Sequence, residues 1–338
     1  MGERGDAFDE EKAVHNLVLA AALRRDAKAL KDLRDSGVKI DAQNGIGETA
    51  LHHVCQIGYV AEAEALLEAG ADKNAVSRIG QTPLGLAIIN GHGPLAELLL
   101  RRGADPDQLI DFGIAPLTSA VESGDAALVR LLLENDASVT PRPPSTDHPA
   151  IIVAAREGHL PILRMLVEEF GVDVNTSIAS GETPLTSAIF AQKHNCFEYL
   201  LDHGADIHFV STQGLTPIYT AAATDNDHAI EVLLKRGISV DGIANRLDCT
   251  PLMSAVCTDA LKAAKVLLDH GAKIDPVAGT GRTARQEAEL NESAAMVQLI
   301  DAEARRRHLI AVEKDAAHAH GGVSGDMKVR KPLVFRKL

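Results

Sequence analysis

The chain has 338 residues, with 34 Lys+Arg against 47 Asp+Glu and a formal net charge of −13. Hydrophobic residues make up 46%, aromatics only 3%, and Trp is absent. The core must therefore be built from Leu, Ala, Ile and Val on helices, because strands would draw more β-branched and aromatic side chains. An acidic chain without a basic stripe argues against nucleic acid, whose phosphates reward clustered Lys and Arg.

From the N-terminus, residues 1–8 read as a frayed end, and residues 1–11 are acidic with no apolar stretch of a secretory signal. Met1-Gly2 opens like a myristoylation signal, but Asp6 stands where Ser or Thr is required. The longest apolar run, residues 17–23, falls far short of the roughly 20 residues that a bilayer-spanning helix needs. A soluble intracellular protein, in cytoplasm or nucleus, is therefore expected, with no membrane partner.

Residues 13–40 read as a helical hairpin with no extended segment ahead of it. Leu17, Ala20 and Ala21 mark the apolar face of its first helix, and Leu30 and Leu33 that of its second. Arg24, Arg25, Lys28, Lys31 and Arg34 give the hairpin one polar face, as the end unit of a stacked array requires.

Residues 41–275 repeat one pattern, clearest at 82–105. The Thr82 hydroxyl can accept from the free amides of a first helical turn, and Pro83 suits a position whose N–H has no partner. Leu84, Leu86 and Ala87 line that helix, Gly91-His92 breaks it, and Pro94 opens a second. Leu95, Leu98 and Leu99 then recur at i, i+3 and i+4, the spacing of one buried face. Gly103 stops the helix, since a stop needs a residue content with positive φ.

The stop recurs at Gly37, Gly70, Gly103, Asp136, Gly171, Gly204, Gly237 and Gly271, at intervals of 33 residues apart from one of 35 and one of 34. The openings Thr49-Ala50-Leu51-His52, Thr82-Pro83-Leu84, Thr183-Pro184-Leu185, Thr216-Pro217-Ile218 and Thr250-Pro251-Leu252 all stand the same distance ahead of their stops.

A period near 33 with Thr-Pro-Leu-His at the first helix resembles the ankyrin repeat family. The resemblance implies an all-α solenoid over residues 9–310, built of helix-turn-helix units that each follow a β-turn finger. It implies a structural role for His52, hydrogen-bonded near its helix start. The equivalent residues Gly85, Thr118, Ile152, Thr186, Tyr219, Met253 and Gln286 depart from the pattern, so that contact is missing from most repeats. It also implies that partners are gripped on the concave side, by finger tips and the exposed ends of first helices.

Further along, the third unit has Ala115-Pro116-Leu117 for the motif and Asp136 for the stop. The fourth has a Pro-rich finger at 140–148, Pro149-Ala150-Ile151 in place of Thr-Pro-Leu, and one extra residue before Gly171. It is the expected weak seam. Residues 276–310 read as a C-terminal capping repeat with polar faces (Arg285, Glu289, Asn291, Glu292), its last helix continuing through Arg305 to Leu309. Residues 311–338 lack periodicity and are expected to be a disordered basic tail. There Lys328, Arg330, Lys331, Arg336 and Lys337 alternate with Val329, Leu333, Val334 and Phe335, as in a targeting or docking element, a solvated end, or a segment drawn back to an acidic groove.

No phosphate loop, dinucleotide fingerprint, nucleophile elbow, metalloprotease helix, EF-hand or zinc spacing occurs in the sequence. Gly279-Thr280-Gly281 is the nearest approach, and Gly281 serves the last finger turn. Cys55, Cys196, Cys249 and Cys257 form no Cys-x-x-Cys pair and read as reduced core thiols. His92 and His159 follow mid-repeat glycines, while His203 and His270 precede stops, where an imidazole can reach the last helix carbonyls. His318 and His320 offer no preformed metal site. The expectation is no catalysis, no cofactor and no metal, in a monomeric protein-protein interaction module or adaptor. A stoichiometric subunit of a large assembly and an enzyme with a groove-built site are the alternatives.

The expected partner-binding stripe starts at the finger tips. Ile46, Ile79 and Phe112 precede the turn glycines Gly47, Gly80 and Gly113, where Ser180, Gln213 and Thr280 stand in later fingers and Leu247 is the exception. Ile57 and Ile89 on adjoining helix ends widen it, and Asn90, Glu122, Arg156 and Phe190 continue the surface. The competing arrangement packs the tips on one another or on Leu109 and Ile110.

Overall fold

The computed structural model describes residues 3–110, 113–140, 148–242, 249–276 and 281–321, in which helices come in pairs joined by short turns. The pairs are α1 (Glu3–Leu23) with α2 (Ala27–Asp35), α3 (Ala50–Ile57) with α4 (Val60–Glu68), and α5 (Pro83–Ile89) with α6 (Gly93–Arg101). Next come α7 (Pro116–Ser123) with α8 (Ala126–Glu134), α9 (Ala150–Glu157) with α10 (Leu160–Arg164), and α11 (Pro184–Phe190) with α12 (His194–Asp202). Last are α13 (Pro217–Ala223) with α14 (Asp227–Lys235), α15 (Pro251–Cys257) with α16 (Leu261–Asp269), and α17 (Ala284–Leu290) with α18 (Ala294–Gly321). Among the described residues there is no sheet, only an isolated bridge between Ile110 and Ile114. The chain divides into two compact units, Met1–Thr220 and Ala221–Leu338. Phe112, Leu247, Thr280, finger residues 141–147 and tail residues 322–338 lie outside the described residues.

Helix starts follow from cap chemistry. Thr82 Oγ1 accepts the Gly85 N–H at 2.9 Å and Pro83 opens α5, as its sequence predicts. At α3 the Thr49 hydroxyl lies 2.9 Å from His52 Nδ1, which accepts the Thr49 N–H at 3.2 Å. Thr183 with Thr186, and Thr283 with Gln286, form the same reciprocal box without histidine. Gly85 answers differently: a Cβ there would lie 2.1 Å from Ile110 Cγ2, so the missing side chain makes room for an apolar contact.

All eight predicted stops take positive φ, from 64° at Asp136 to 94° at Gly70. Asp136 tolerates the left-handed region because a short polar side chain can satisfy itself locally there.

In the first unit, neighbouring repeats are tied by a ladder of side chain to backbone. Asp41 Oδ1 accepts the Asp72 N–H at 3.0 Å, Asn74 that of Asp105 at 2.9 Å, Asp107 that of Ser138 at 2.8 Å, and Asn175 that of Asp206 at 2.8 Å. Thr140, at the equivalent position of the fourth repeat, carries neither carboxylate nor amide. Yet α9 buries six consecutive residues, Ala150, Ile151, Ile152, Val153, Ala154 and Ala155, as many as α5 and α15. That packing runs against the expected weak seam. The extra residue before Gly171 is absorbed after α10 by a π-helical turn, Met165–Glu169. The turn brings Glu169 to Arg130, with N–O distances of 2.6 and 2.7 Å, and Arg130 holds its carboxyl below the usual range.

The ends differ from the sequence reading. Helix α1 begins at Glu3, before the expected end of fraying, and its buried face is His15, Val18, Ala21 and Ala22. Leu17 is exposed, because the i, i+3, i+7 spacing from His15 excludes it. Helix α18 continues to Gly321, past the expected start of the tail.

Within the second unit, Asp241 Oδ1 accepts the Lys273 N–H at 2.9 Å, the same link as in the first. Arg307 caps α16 by donating to the Leu268 and Ala272 carbonyls at 3.0 and 2.8 Å. Its Nε also meets Glu303, a buried carboxylate held below the usual range by Arg306 and Arg307. On the opposite pair, Arg285 reaches Asp301 at 2.7 Å.

Candidate protein-binding surface

The first two fingers are tight turns pinned by their own side chains. In the first, Gly47 donates to the Asn44 carbonyl at 3.0 Å and Asn44 to the Glu48 carbonyl at 2.9 Å. Asn44 Oδ1 accepts from the Ile46 and Glu48 amides, both at 3.0 Å. The second repeats this with Gly80 to Ser77 at 3.0 Å, Ser77 to Gln81 at 2.9 Å, and Ser77 Oγ accepting the Gln81 N–H at 3.0 Å. Ile46 and Ile79 each occupy the third turn position, which points away from the paired strandlike arms, and they are 51% and 53% exposed. Both tips are thus half in water, while Ile110 enters the core, at 1%, and Leu109 is half-buried.

The fingers are also joined side by side. The Arg78 backbone N–H donates to the Ile46 carbonyl at 3.0 Å, and Nη1 donates to the Gly45 carbonyl at 3.0 Å. Ile57 and Ile89 close α3 and α5 with exposed side chains, and His92 Nε2 ties the two helix ends through the Gln56 carbonyl at 3.2 Å. Val76 and Tyr59 are exposed apolar residues of the same repeats that the stripe had not included. Val76 stands four residues before Gly80, where the neighbouring fingers have Gln43 and Leu109, so a comparison of finger positions could have found it.

The remaining predicted residues lie elsewhere in the first unit. Asn90 is exposed and donates to the Leu86 carbonyl at 2.8 Å. Arg156 sits between Glu122 at 3.5 Å and Glu157 at 3.1 Å. Arg156 and Phe190 share a cleft of about 450 Å³ with Glu182, Leu215 and several hydroxyl side chains, a grouping that sequence spacing did not reveal. Of the nine predicted residues, Phe112 alone falls outside the described residues.

The repeat histidines singled out by the sequence have structural partners. His52, fully buried, points Nε2 at the Gln81 carbonyl at 3.0 Å, and burial pushes its pKa down. His159 Nε2 lies 3.4 Å from the Glu122 carbonyl, while His203 and His270 reach the Tyr199 and Val266 carbonyls at 2.8 and 2.9 Å. Burial raises the thiol of Cys55 and pushes Cys196 up to about 11, which leaves little thiolate near neutrality, whereas Cys257, at the end of α15, is exposed and not the core residue its sequence suggested. Among the described residues, no three His, Cys, Asp or Glu stand close enough to hold a metal ion, and no helix is long and apolar enough to cross a membrane.

Paired helices, left-handed stops at intervals of 33 to 35 residues and pinned fingers define a helical repeat protein. The family description for ankyrin repeats matches in three copies, over residues 17–110, 117–211 and 204–278, and the chain belongs to that family. No curated protein matches the chain. Ankyrin repeats are typically protein-binding modules and usually non-catalytic.

Proposed function

We propose that this protein is an adaptor that grips a protein partner through its N-terminal fingers. The observation that carries the reading is the exposure of Ile46 and Ile79 on turns held rigid by their own hydrogen bonds and by each other. An apolar side chain kept half in water on a stiff support loses little conformational entropy when a partner covers it. With Ile57, Ile89, Val76 and Tyr59 on the same repeats, the tips supply the apolar centre that an interface needs, and Asn90 supplies rim polarity. The same acidic composition that argues against nucleic acid favours a neutral or basic protein surface. Affinity capture from native cells with the full chain as bait tests this. A protein recovered with wild-type bait and lost with Ile79→Ser bait supports the reading. Equal recovery with both baits contradicts it, and recovery at fixed stoichiometry in a large complex would instead favour a structural subunit.

A further inference from the structure

Helix α18 runs for 28 residues, whereas the helices it packs on, α16 and α17, have 9 and 7. Met296, Ile300 and Glu303 are buried there, and half-buried Arg307 makes the last tie, to the Leu268 and Ala272 carbonyls. Beyond it, every residue from His308 to Asp315 is exposed, Leu309 at 60% and Val312 at 49%, although the helix goes on to Gly321. A helical stretch of about fourteen residues is marginal in water unless one of its faces is packed. The face that offers itself is Ala302, Arg305, Leu309 and Val312, all exposed, which recur at intervals of 3, 4 and 3 on the side away from the buried residues. Charge is divided along the same stretch. Arg305, Arg306, Arg307 and His308 precede the two large apolar residues, with Glu303 the one carboxylate bonded to Arg306 and Arg307. Glu313 and Asp315 follow them, with Lys314 between as the one cation of those three. The turns before Leu309 therefore carry a positive surplus and the turn after Val312 a negative one. A second copy of this helix laid parallel would set Arg305 against Arg305 across the seam. Laid antiparallel, with Leu309 against Val312, it sets Arg306 beside Glu313 and His308 beside Asp315, each pair made twice.

We propose that the projecting part of α18 is a self-association site, at which two copies of the chain pair antiparallel about a two-fold axis between Leu309 and Val312. The product is a homodimer in place of the monomer that the sequence suggests. The pairing uses no residue of the fingers, so it stands or falls separately from the partner-binding reading.

Sedimentation equilibrium of the full chain over about two decades of concentration is the test. The chain should pass from monomer to dimer as concentration rises. Leu309→Glu should weaken the dimer about tenfold or more, and Ile79→Ser should leave it unchanged. Asp315→Arg should also weaken it, and the added His308→Glu should restore it, because those two reversed charges face each other only in the antiparallel register. The substituted residues of α18 are exposed, so each variant should keep its repeat fold, which circular dichroism checks. A chain that stays monomeric throughout, or a dimer that Leu309→Glu or Asp315→Arg leaves intact, overturns the proposal. Failure of His308→Glu to restore the Asp315→Arg dimer removes the antiparallel pairing, and a dimer lost only with Ile79→Ser would move the self-contact to the fingers.

Discussion

The backbone N–H of Arg78 donates to the carbonyl of Ile46 at 3.0 Å, so the second finger is bonded to the first at the residue that carries its apolar tip. Relative placement of the two exposed isoleucines is thereby set by main chain rather than by side-chain packing. Gly47 shows how close the fingers run: at its φ of 82°, an added Cβ would lie 2.7 Å from the Arg78 backbone nitrogen. Gly80 has a similar φ, 87°, with nothing within 4 Å.

Gly47→Ala should therefore destabilise the protein more than Gly80→Ala. Both incur the left-handed strain of about 1 kcal/mol, and only the first also displaces Arg78. Urea denaturation of the two variants measures the gap, expected at about 1 kcal/mol or more; equal losses would show that the fingers are not in contact at this point.

Acidification should weaken the fold. Burial lowers the pKa of His52 and of His15, whose Nδ1 lies 3.2 Å from the Ala42 carbonyl. Below about pH 6.5 the unfolded chain takes up these protons and the folded chain resists them, so their contribution is complete above that pH and is lost as pH falls through the folded values. His52→Ala should lose about 2 kcal/mol at pH 7.5, since it strands the buried Thr49 N–H and leaves the Gln81 carbonyl with Ser77 as its remaining donor, and should flatten the slope between pH 7 and 5. An unchanged slope would assign the acid sensitivity to other groups.

The Asx ladder makes opposite predictions at two positions. Asn74→Ala removes the acceptor of the Asp105 N–H and should cost about 1 kcal/mol, whereas Thr140→Asn supplies an acceptor where the ladder lacks one and should gain about 0.5 kcal/mol. Chemical denaturation reads both, and a destabilised Thr140→Asn would mean that the fourth repeat is not shaped to use the bond.

Hydrogen exchange should divide the fourth repeat. Amides of residues 151–155 should be among the slowest in the first unit, given their complete burial, while the π-helical turn Met165–Glu169 should open earlier. Early exchange throughout α9 would restore the weak-seam expectation that the Thr-Pro-Leu departure suggests.

Those outcomes bear on what the sequence reveals. Repeat positions are legible because positive φ narrows the choice at a helix stop, and Asp136 fits the same constraint without glycine. The exposed tips are legible too, as apolar residues at a turn position that elsewhere holds Ser180 or Gln213. The ladder is not, because Asp and Asn are ordinary finger residues and their partners lie about thirty residues away in the next repeat. Left-handed Arg25, Gln192 and Asp259 are legible by register alone, since they stand where Gly58, Gly91, Gly124 and Gly158 break the other repeats, although residue type does not announce them. The cleft at Phe190 escapes for a third reason: its walls come from three successive first helices and the two fingers between them, and only their stacking brings Glu182 and Leu215 to one cleft with Phe190.

The most direct measurement is calorimetric binding of the captured partner to an Ile46→Ser, Ile79→Ser double variant, with its melting temperature recorded alongside. Both side chains are half in water, so the melting temperature should not move, while affinity should fall by about 2 kcal/mol or more, roughly thirtyfold. A folded double variant that binds with wild-type affinity would contradict the assignment of the N-terminal fingers as the partner-binding surface.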